Sequence, residues 1–299
     1  MRFPYATAAA FRAALKDRLA CVALEAGYPL SEIQRQFAYD RLLARCFSTN
    51  WDRWVLKGAG ALLARLDGAR HSKDIDLFYS DRRAEIAAAV EDLEHALHTD
   101  LGDHFAFEVV RTTALPEAAK GRRVHVRSGL GPVAFSAFHV DVVVGTAMSC
   151  EPDEVSPLVR VTIPGLVRPA YRAFPLVDHI ADKLCATEET HERAGRRRAS
   201  TRVKDLVDLA LIARSQTIDG HQLRTAIQVG FAHRGLAVPS CFTVPDGAVW
   251  RTQFPRVARD APPPVLAYDD ALDLVCRMLD PVLGGSTPNQ WDPNRACWN

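Results

Sequence analysis

Three things are missing from this sequence, and each absence closes off a class of function. No apolar stretch is long enough to cross a bilayer, and charges interrupt the opening MRFPYATAAAFRAALKDRLA every few positions, so neither a secretion signal nor a membrane anchor is expected. Neither sign of charge is in excess: 37 Lys and Arg face 36 Asp and Glu in 299 residues, so any nucleic-acid surface must be a local patch. The seven cysteines, at 21, 46, 150, 185, 241, 276 and 297, never form a C-x-x-C pair. That spacing speaks against a zinc site or a disulfide framework and predicts a reducing, cytoplasmic setting. No internal repeat is visible either. What remains is an ordinary globular composition with enough chain for about two domains.

The stretch Trp54–Tyr79, WVLKGAGALLARLDGARHSKDIDLFY, organises the rest. It reads as a strand ending near Leu56, a turn Lys57-Gly58-Ala59-Gly60, a short apolar helix over Ala61–Leu66 stopped by Asp67-Gly68, and a second strand over Ser72–Phe78. Alternation along that strand puts Asp74 and Asp76 on one face and Ile75 and Leu77 on the other. Two carboxylates ~7 Å apart on one strand face repel and are costly to desolvate unless a cation lies between them. Magnesium is the usual cation, because it takes oxygen ligands, keeps several waters and is held by one or two carboxylates plus substrate phosphates. Glycine backbone N–H groups just upstream can approach phosphate oxygens. The competing reading is a solvated edge strand whose aspartates have no chemical role.

Around this stretch the pattern is mostly scaffold. Helices are expected over residues 6–24, from Ser31 through Leu43, and from a cap at Asp81 to about His98, followed by strands Phe105–Val110, Arg122–Arg127 and Val133–Val144. The last strand carries a single carboxylate, Asp141, in an apolar run, and a lone buried aspartate needs a partner. On the residues alone it is the mate of an arginine or sits at an exposed position. His139 shares its face. Prolines and glycine at 152, 157, 164, 165 and 169 place a linker over 151–172. The expected domains are therefore 1–150, with a helical lead-in over 1–50 and a mixed sheet core over 51–150, and a mostly helical 173–299.

In the second domain a helix opened by Pro175 puts Lys183 beside an apolar stripe, where a lysine ordinarily snorkels. Next, HERAGRRRASTRVK gathers Arg196, Arg197, Arg198 and Arg202 in one loop. Such a run is either a solvated connection or a place for RNA phosphates to dock with release of counterions. On the helix that follows, Asp205 and Asp208 share a face at i and i+3, and surface pairing of Lys204 with Asp208 is the plainer account of that spacing. Beyond Leu211 the sequence predicts helices at 220–233 and 267–283, a stiff Ala261–Pro264 connection and an irregular end.

The Gly58-Ala59 turn followed by Asp74-Ile75-Asp76 resembles the signature of the DNA polymerase β-type nucleotidyltransferases. Leu56-Lys57-Gly58-Ala59-Gly60-Ala61-Leu62 with Ser72-Lys73-Asp74-Ile75-Asp76-Leu77 is similar to the AbiEii/AbiGii toxin family, which includes the MenT toxins. Ile180-Ala181-Asp182-Lys183-Leu184 and the Arg202, Lys204, Asp205, Asp208 element are similar to further stretches of that family. Members usually read Lys-Gly-Gly-Thr or Lys-Gly-Gly-Ser at the turn; here Ala59 and Gly60 take the second and third places, which leaves backbone N–H groups or the Ser72 hydroxyl to hold the triphosphate.

The resemblance implies an α/β (α+β), polymerase β-like core with a helical C-terminal domain and a site in the cleft between them. It implies transfer of NMP from an NTP to an RNA acceptor, the 3′ end of tRNA, with Mg2+, or Mn2+ in its place, held by Asp74, Asp76 and Asp141. Lys57, Gly58, Ala59, Gly60, Ser72 and Lys183 would bind the nucleotide. Asp74, Asp76, Lys183 and Asp205 would be catalytic, and Arg196, Arg197, Arg198 and Arg202 would bind RNA. A cognate AbiEi-type antitoxin is the implied partner, with no membrane involved. A small-molecule nucleotidyltransferase and a catalytically weakened nucleotide-binding protein are the alternatives; the arginine loop speaks against the first, and Ala59 is the feature favouring the second.

Overall fold

Alternation of apolar and polar residues along the central strands gives the first part of the molecule one dry and one wet sheet face. The computed structural model describes residues 3–81, 83–115, 120–189, 191–193, 196–198, 200, 202–259 and 266–299. It divides into two units: Met1–Arg65 with His71–Thr146 and Pro152–Ala173, and Leu66–Arg70 with Ala147–Glu151 and Phe174–Asn299.

In the first unit, helices α1 (Ala8–Ala26) and α2 (Leu30–Thr49) precede β1 (Trp54–Lys57), α3 (Gly58–Arg65), β2 (Asp74–Tyr79) and α4 (Ile86–Leu97). Strands β3 (Phe105–Ala114), β4 (Gly121–Leu130), β5 (Val133–Val144), β6 (Asp153–Val155) and β7 (Tyr171–Ala173) follow. Thr7 caps α1 by accepting from the Ala10 amide at 3.2 Å, and Gly27 ends it in the left-handed conformation that glycine tolerates. Phe11, Leu15, Leu19 and Ala23, four residues apart, are its buried stripe. Contrary to the sequence reading, Asp81 does not cap α4: its carboxylate accepts from the Arg83 amide, and Glu85 holds the N-cap position without a side-chain bond.

The described strands of this unit form a seven-stranded sheet in the order β3-β4-β5-β2-β1-β7-β6. β2 pairs with β5 in parallel, as β1 does with β7, and the remaining pairs are antiparallel. One face carries Ile75 and Leu77, Val140 and Val142, Val124 and Val126, and Phe105 and Phe107, all buried against the helices. Tyr39 and Phe37 of α2 meet Phe138 and Phe105 edge-on or tilted. At roughly 1.5–3 kcal/mol for each fully buried large aliphatic or aromatic side chain, this face fixes which residues are left on the other one.

The stretch 151–172, expected as a linker, instead contributes the edge strand β6 and most of its neighbour β7 to this sheet. Asp40, fully buried on α2, is the reason: its carboxylate accepts from the amides of Leu158 (2.8 Å) and Val159 (3.0 Å) and from the Tyr171 hydroxyl (2.8 Å). The prolines bend the chain between those anchors and leave its ends paired. Five residues further along α2, Arg45, together with Arg41, surrounds Asp103. Arg41 Nε donates to Asp103 Oδ2 at 2.7 Å and Arg45 Nη2 donates to Oδ1 at 2.9 Å.

The second unit contains α5 (Leu176–Glu188), the hairpin strands β8 (His191–Arg193) and β9 (Arg196–Arg198), and α6 (Val203–Ser215). After β10 (Ile218–Asp219) come α7 (Gly220–Arg234), α8 (Gly247–Ala258), α9 (Tyr268–Leu283), β11 (Gln290–Asp292) and β12 (Cys297–Trp298). The end expected to be irregular pairs β10, β11 and β12 into a small sheet, and α8 was not foreseen at all. Buried indoles anchor both: Trp250 Nε1 donates to the Ser200 carbonyl at 3.1 Å and Trp291 Nε1 to that of Ala213 at 2.6 Å. The expected 261–264 connection lies outside the described residues. Among those residues no helix is long and apolar enough to cross a membrane.

The Asp103 arrangement makes a direct prediction. Asp103→Ala leaves two buried guanidiniums without their carboxylate, so the variant should lose about 3–5 kcal/mol of stability, read as a lower denaturant midpoint of unfolding. A midpoint equal to that of the wild type would mean that the backbone carbonyls around Arg41 and Arg45 satisfy them alone.

Candidate active site

The acidic pair emerges on the wet face of the sheet. Asp74 and Asp76 are each half-exposed on β2, while Ile75 and Leu77 between and beyond them are buried. The expected four-residue turn upstream is absent, because α3 starts at Gly58 directly from β1. Gly58 has φ +57°, and a Cβ there would lie 1.8 Å from Asp76 Oδ2, so only glycine lets the helix start come down onto the carboxylate. Ala59 and Gly60 are buried. A Cβ at Gly60 would meet Leu56 Cδ1 at 3.1 Å, so this chain fills with leucine the space a third-position side chain would use. Ser72 is buried and its hydroxyl donates to Asp74 Oδ1, which commits it to orienting the carboxylate.

Register extends this face sideways. Asp76 lies opposite Lys57 on β1 and opposite Asp141 on β5, and Asp141 lies opposite Arg123 on β4. One row across four strands thus reads Lys57, Asp76, Asp141, Arg123. The neighbouring row runs Asp74, His139, His125, Arg111. Asp141 is 9% exposed and gives both oxygens to the Arg123 guanidinium, Nε to Oδ1 at 2.7 Å and Nη2 to Oδ2 at 2.6 Å. The same Nη2 stands 4.0 Å from Asp74 Oδ2. Hydrogen bonding to Asp141, then the charges of Asp141, Asp74 and Asp76, raise the pKa of Arg123 against the opposing effect of its partial burial. Arg123 was missed in the sequence; the signal was the lone carboxylate of a neighbouring strand, which demanded a cation.

As a cation site, Asp74 and Asp76 supply hard, partly solvated oxygens, which suits an ion held by two carboxylates, waters and phosphate oxygens. Among the described residues no three His, Cys, Asp or Glu side chains gather as a metal cage. Asp141, taken by Arg123, adds no free oxygen to the pair in this arrangement.

A second cluster lies within the second unit. Lys183 of α5 is 5% exposed, and its Nζ donates to Asp205 Oδ1 at 3.0 Å and Asp208 Oδ2 at 2.5 Å on α6. Arg70 forks onto Asp208 with both bonds at 3.0 Å, and Arg202 Nε lies 2.7 Å from Asp205 Oδ2. Asp205 and Asp208 do share a helix face, yet the face is buried and Asp208 joins Lys183 and Arg70. Burial opposes the charge on Lys183, but the two carboxylates outweigh it and raise its pKa, so the side chain is a fixed ammonium. Burial likewise pushes Asp208 up, while Lys183 and Arg70 pull it down to about 2. Arg70, four residues before Asp74 in the sequence, was also missed, and nothing in its local pattern marks it.

Comparison with known proteins decides the family. A model of the nucleotidyl transferase AbiEii toxin of type IV toxin–antitoxin systems matches residues 41–292. The chain belongs to the AbiEii toxin family. Among solved structures it is similar to MenT4, a nucleotidyltransferase toxin from Mycobacterium tuberculosis H37Rv, at 18% identity and TM-score 0.56, over 89% of each chain. JHP933 from Helicobacter pylori aligns at 17% identity and TM-score 0.38, over 64% of this chain and 72% of the other. No curated protein sequence matches. The structural likeness to MenT4 is one of fold, and it agrees with the mixed sheet and helical second unit described above.

In this AbiEii-family toxin the arginine loop is a β8–β9 hairpin that pairs His191 with Arg198 and Arg193 with Arg196. The RNA contacts expected of the side chains of Arg196, Arg197 and Arg198 lie outside the described residues. Arg202 is described, and its guanidinium is turned onto Asp205.

Because Asp208 is depressed in the folded toxin, its stabilisation is complete above the ordinary carboxylate pKa of about 3.9 and disappears as pH falls towards about 2. Acid unfolding of wild type and Asp208→Asn, followed by circular dichroism, should show the variant less stable at pH 5 and with a flatter decline below pH 4. Parallel curves would show that Asp208 titrates normally.

Proposed function

We propose that this toxin transfers a nucleoside monophosphate from an NTP to an RNA acceptor, the 3′ end of tRNA, and so blocks translation in the cytoplasm until an AbiEi-type antitoxin counters it. The supporting observation is the half-exposed Asp74–Asp76 pair on one strand face, with Gly58 packed against Asp76 and Arg123 beside Asp74. Asp74 and Asp76 would hold magnesium, or manganese in its place. When bound, the ion neutralises triphosphate charge and lowers the pKa of the attacking hydroxyl.

The protein's own residues do the rest. Ser72 fixes the orientation of Asp74 through its hydroxyl. Asp141 holds Arg123 by a bidentate fork, which keeps a cation next to the pair when no ligand is there. Lys57 sits opposite Asp76 at the last position of β1, directly before α3, and is a cation suited to a phosphate oxygen. Lys183, held permanently charged by Asp205 and Asp208, is assigned to charge developing on the phosphates, with Asp205 as its positioning residue. Neither Lys183 nor Arg123 can serve as a general base while so paired. Deprotonation of the acceptor hydroxyl therefore falls to Asp74, Asp76 or solvent.

Purified toxin incubated with each labelled NTP, magnesium and total tRNA should label a tRNA band with at least one nucleotide. Asp74→Asn and Asp76→Asn should each cut that labelling by at least about 100-fold at an unchanged melting temperature, since each side chain faces away from the core. Undiminished labelling in either variant would sink the assignment.

A further inference from the structure

We infer that the exposed basic strip Arg111–His125–Arg127 on β3 and β4 is the surface along which the single-stranded end of the RNA acceptor runs into the Asp74–Asp76 site. The inference rests on the acceptor reading above and gives that acceptor a place on this chain.

Three observations carry it. First, the strip belongs to the same sheet face as the acids: His125 is opposite His139, which is opposite Asp74, and Arg111 is opposite His125 on the far side. Along β4 the residues on that face are Arg123, His125 and Arg127, two positions apart and so ~7 Å from one to the next. That interval suits successive phosphates of an extended strand better than those of a stacked helix.

Second, the residue directly across from Arg111 is His125, whose ring is no counterion, so a bare sheet gains no ion pair from placing the two together. The groups around His125 are Arg111, His139, Arg123 and Asp141, and Asp141 is already held by Arg123. The rings of His125 and His139 are 5.5 Å apart. Partial burial first, and then Arg111, His139 and Arg123, lower the pKa of His125, which an arriving phosphate would reverse. On this stretch of β3 the acid is Glu108, which meets Arg127 at 3.5 Å with both side chains more than half exposed, a bond worth little and easily exchanged for phosphate.

Third, the chain as a whole is nearly neutral, with 37 basic and 36 acidic residues. Two arginines flanking a histidine, with one loosely held acid, are therefore a segregated basic patch, and its complement is a polyanion. A triphosphate is the other anion to consider. It is compact, whereas the strip extends over two strands away from the acids.

The test uses the full chain and deacylated total tRNA, with binding measured at several salt concentrations. The variant Arg111→Thr/His125→Thr/Arg127→Thr changes exposed or half-exposed strand positions to a residue that suits strands, and none of the three belongs to the proposed catalytic set. Its slope of log K against log salt should be shallower than that of the wild type by about 1.4, two arginines at ~0.7 each for a single strand, and its affinity at low salt should fall at least about tenfold. NTP affinity and melting temperature should not move. The charge-retaining Arg111→Lys/Arg127→Lys variant should keep the wild-type slope, which separates loss of charge from loss of structure. Equal slopes for the threonine variant and the wild type overturn the strip and leave the acceptor reading standing. A wild type that does not bind tRNA at any salt overturns both, and a loss confined to NTP affinity reassigns the strip to the triphosphate.

Discussion

Three carboxylates on adjacent positions of one sheet face repel one another, and the parallel pairing of β2 with β5 forces that crowding by setting Asp76 opposite Asp141. The pairing cannot slip. Ile75, Leu77, Val140 and Val142 are all buried on the reverse side, and a shift by one residue would bring them to water and the aspartates into the core. The apolar face thus holds the acidic face in a configuration that electrostatics alone would disperse. The neighbouring strands supply the counterweight, with Lys57 at one end of the row and Arg123 at the other.

The same rule, that a buried charge must be paired, recurs away from the sheet with a different consequence. Asp103 between Arg41 and Arg45, and Asp40 between two amides and Tyr171, use charge to lock loops onto α2. The Lys183 cluster obeys the same rule: Lys183, Asp205 and Asp208 are buried and paired with one another, Arg70 is forked onto Asp208, and the third cation, Arg202, lies at the surface with its guanidinium turned onto Asp205.

How much of this was legible in the sequence follows from the range of each interaction. The Asp74–Asp76 pair and its strand were readable because alternation is local, and the buried stripes of α1 and α2 because helical spacing is local too. The demand of Asp141 for a partner was readable, but the identity of that partner was not. Arg123 is 18 positions away along the chain and becomes its neighbour only through the β4–β5 hairpin register. The 151–172 segment was misread for a similar reason: its prolines are visible, whereas the Asp40 carboxylate that pins it belongs to a helix more than a hundred residues earlier. Asp205 and Asp208 were placed correctly on one face, and only the fold could show that the face is buried against Lys183.

The Asp141–Arg123 fork also bears on why two carboxylates, and not three, face solvent. A guanidinium is planar and matches both oxygens of a carboxylate at once, which a lysine ammonium cannot do, so Asp141 is neutralised in a defined geometry. With Asp141 held by Arg123, the acidity of this face that reaches solvent is that of Asp74 and Asp76. Because the same guanidinium reaches to 4.0 Å from Asp74, the cation that silences Asp141 also lowers the repulsion between the two that are left. If a divalent ion is held as proposed, a set of two carboxylates completed by nucleotide phosphate oxygens would make its retention depend on the substrate.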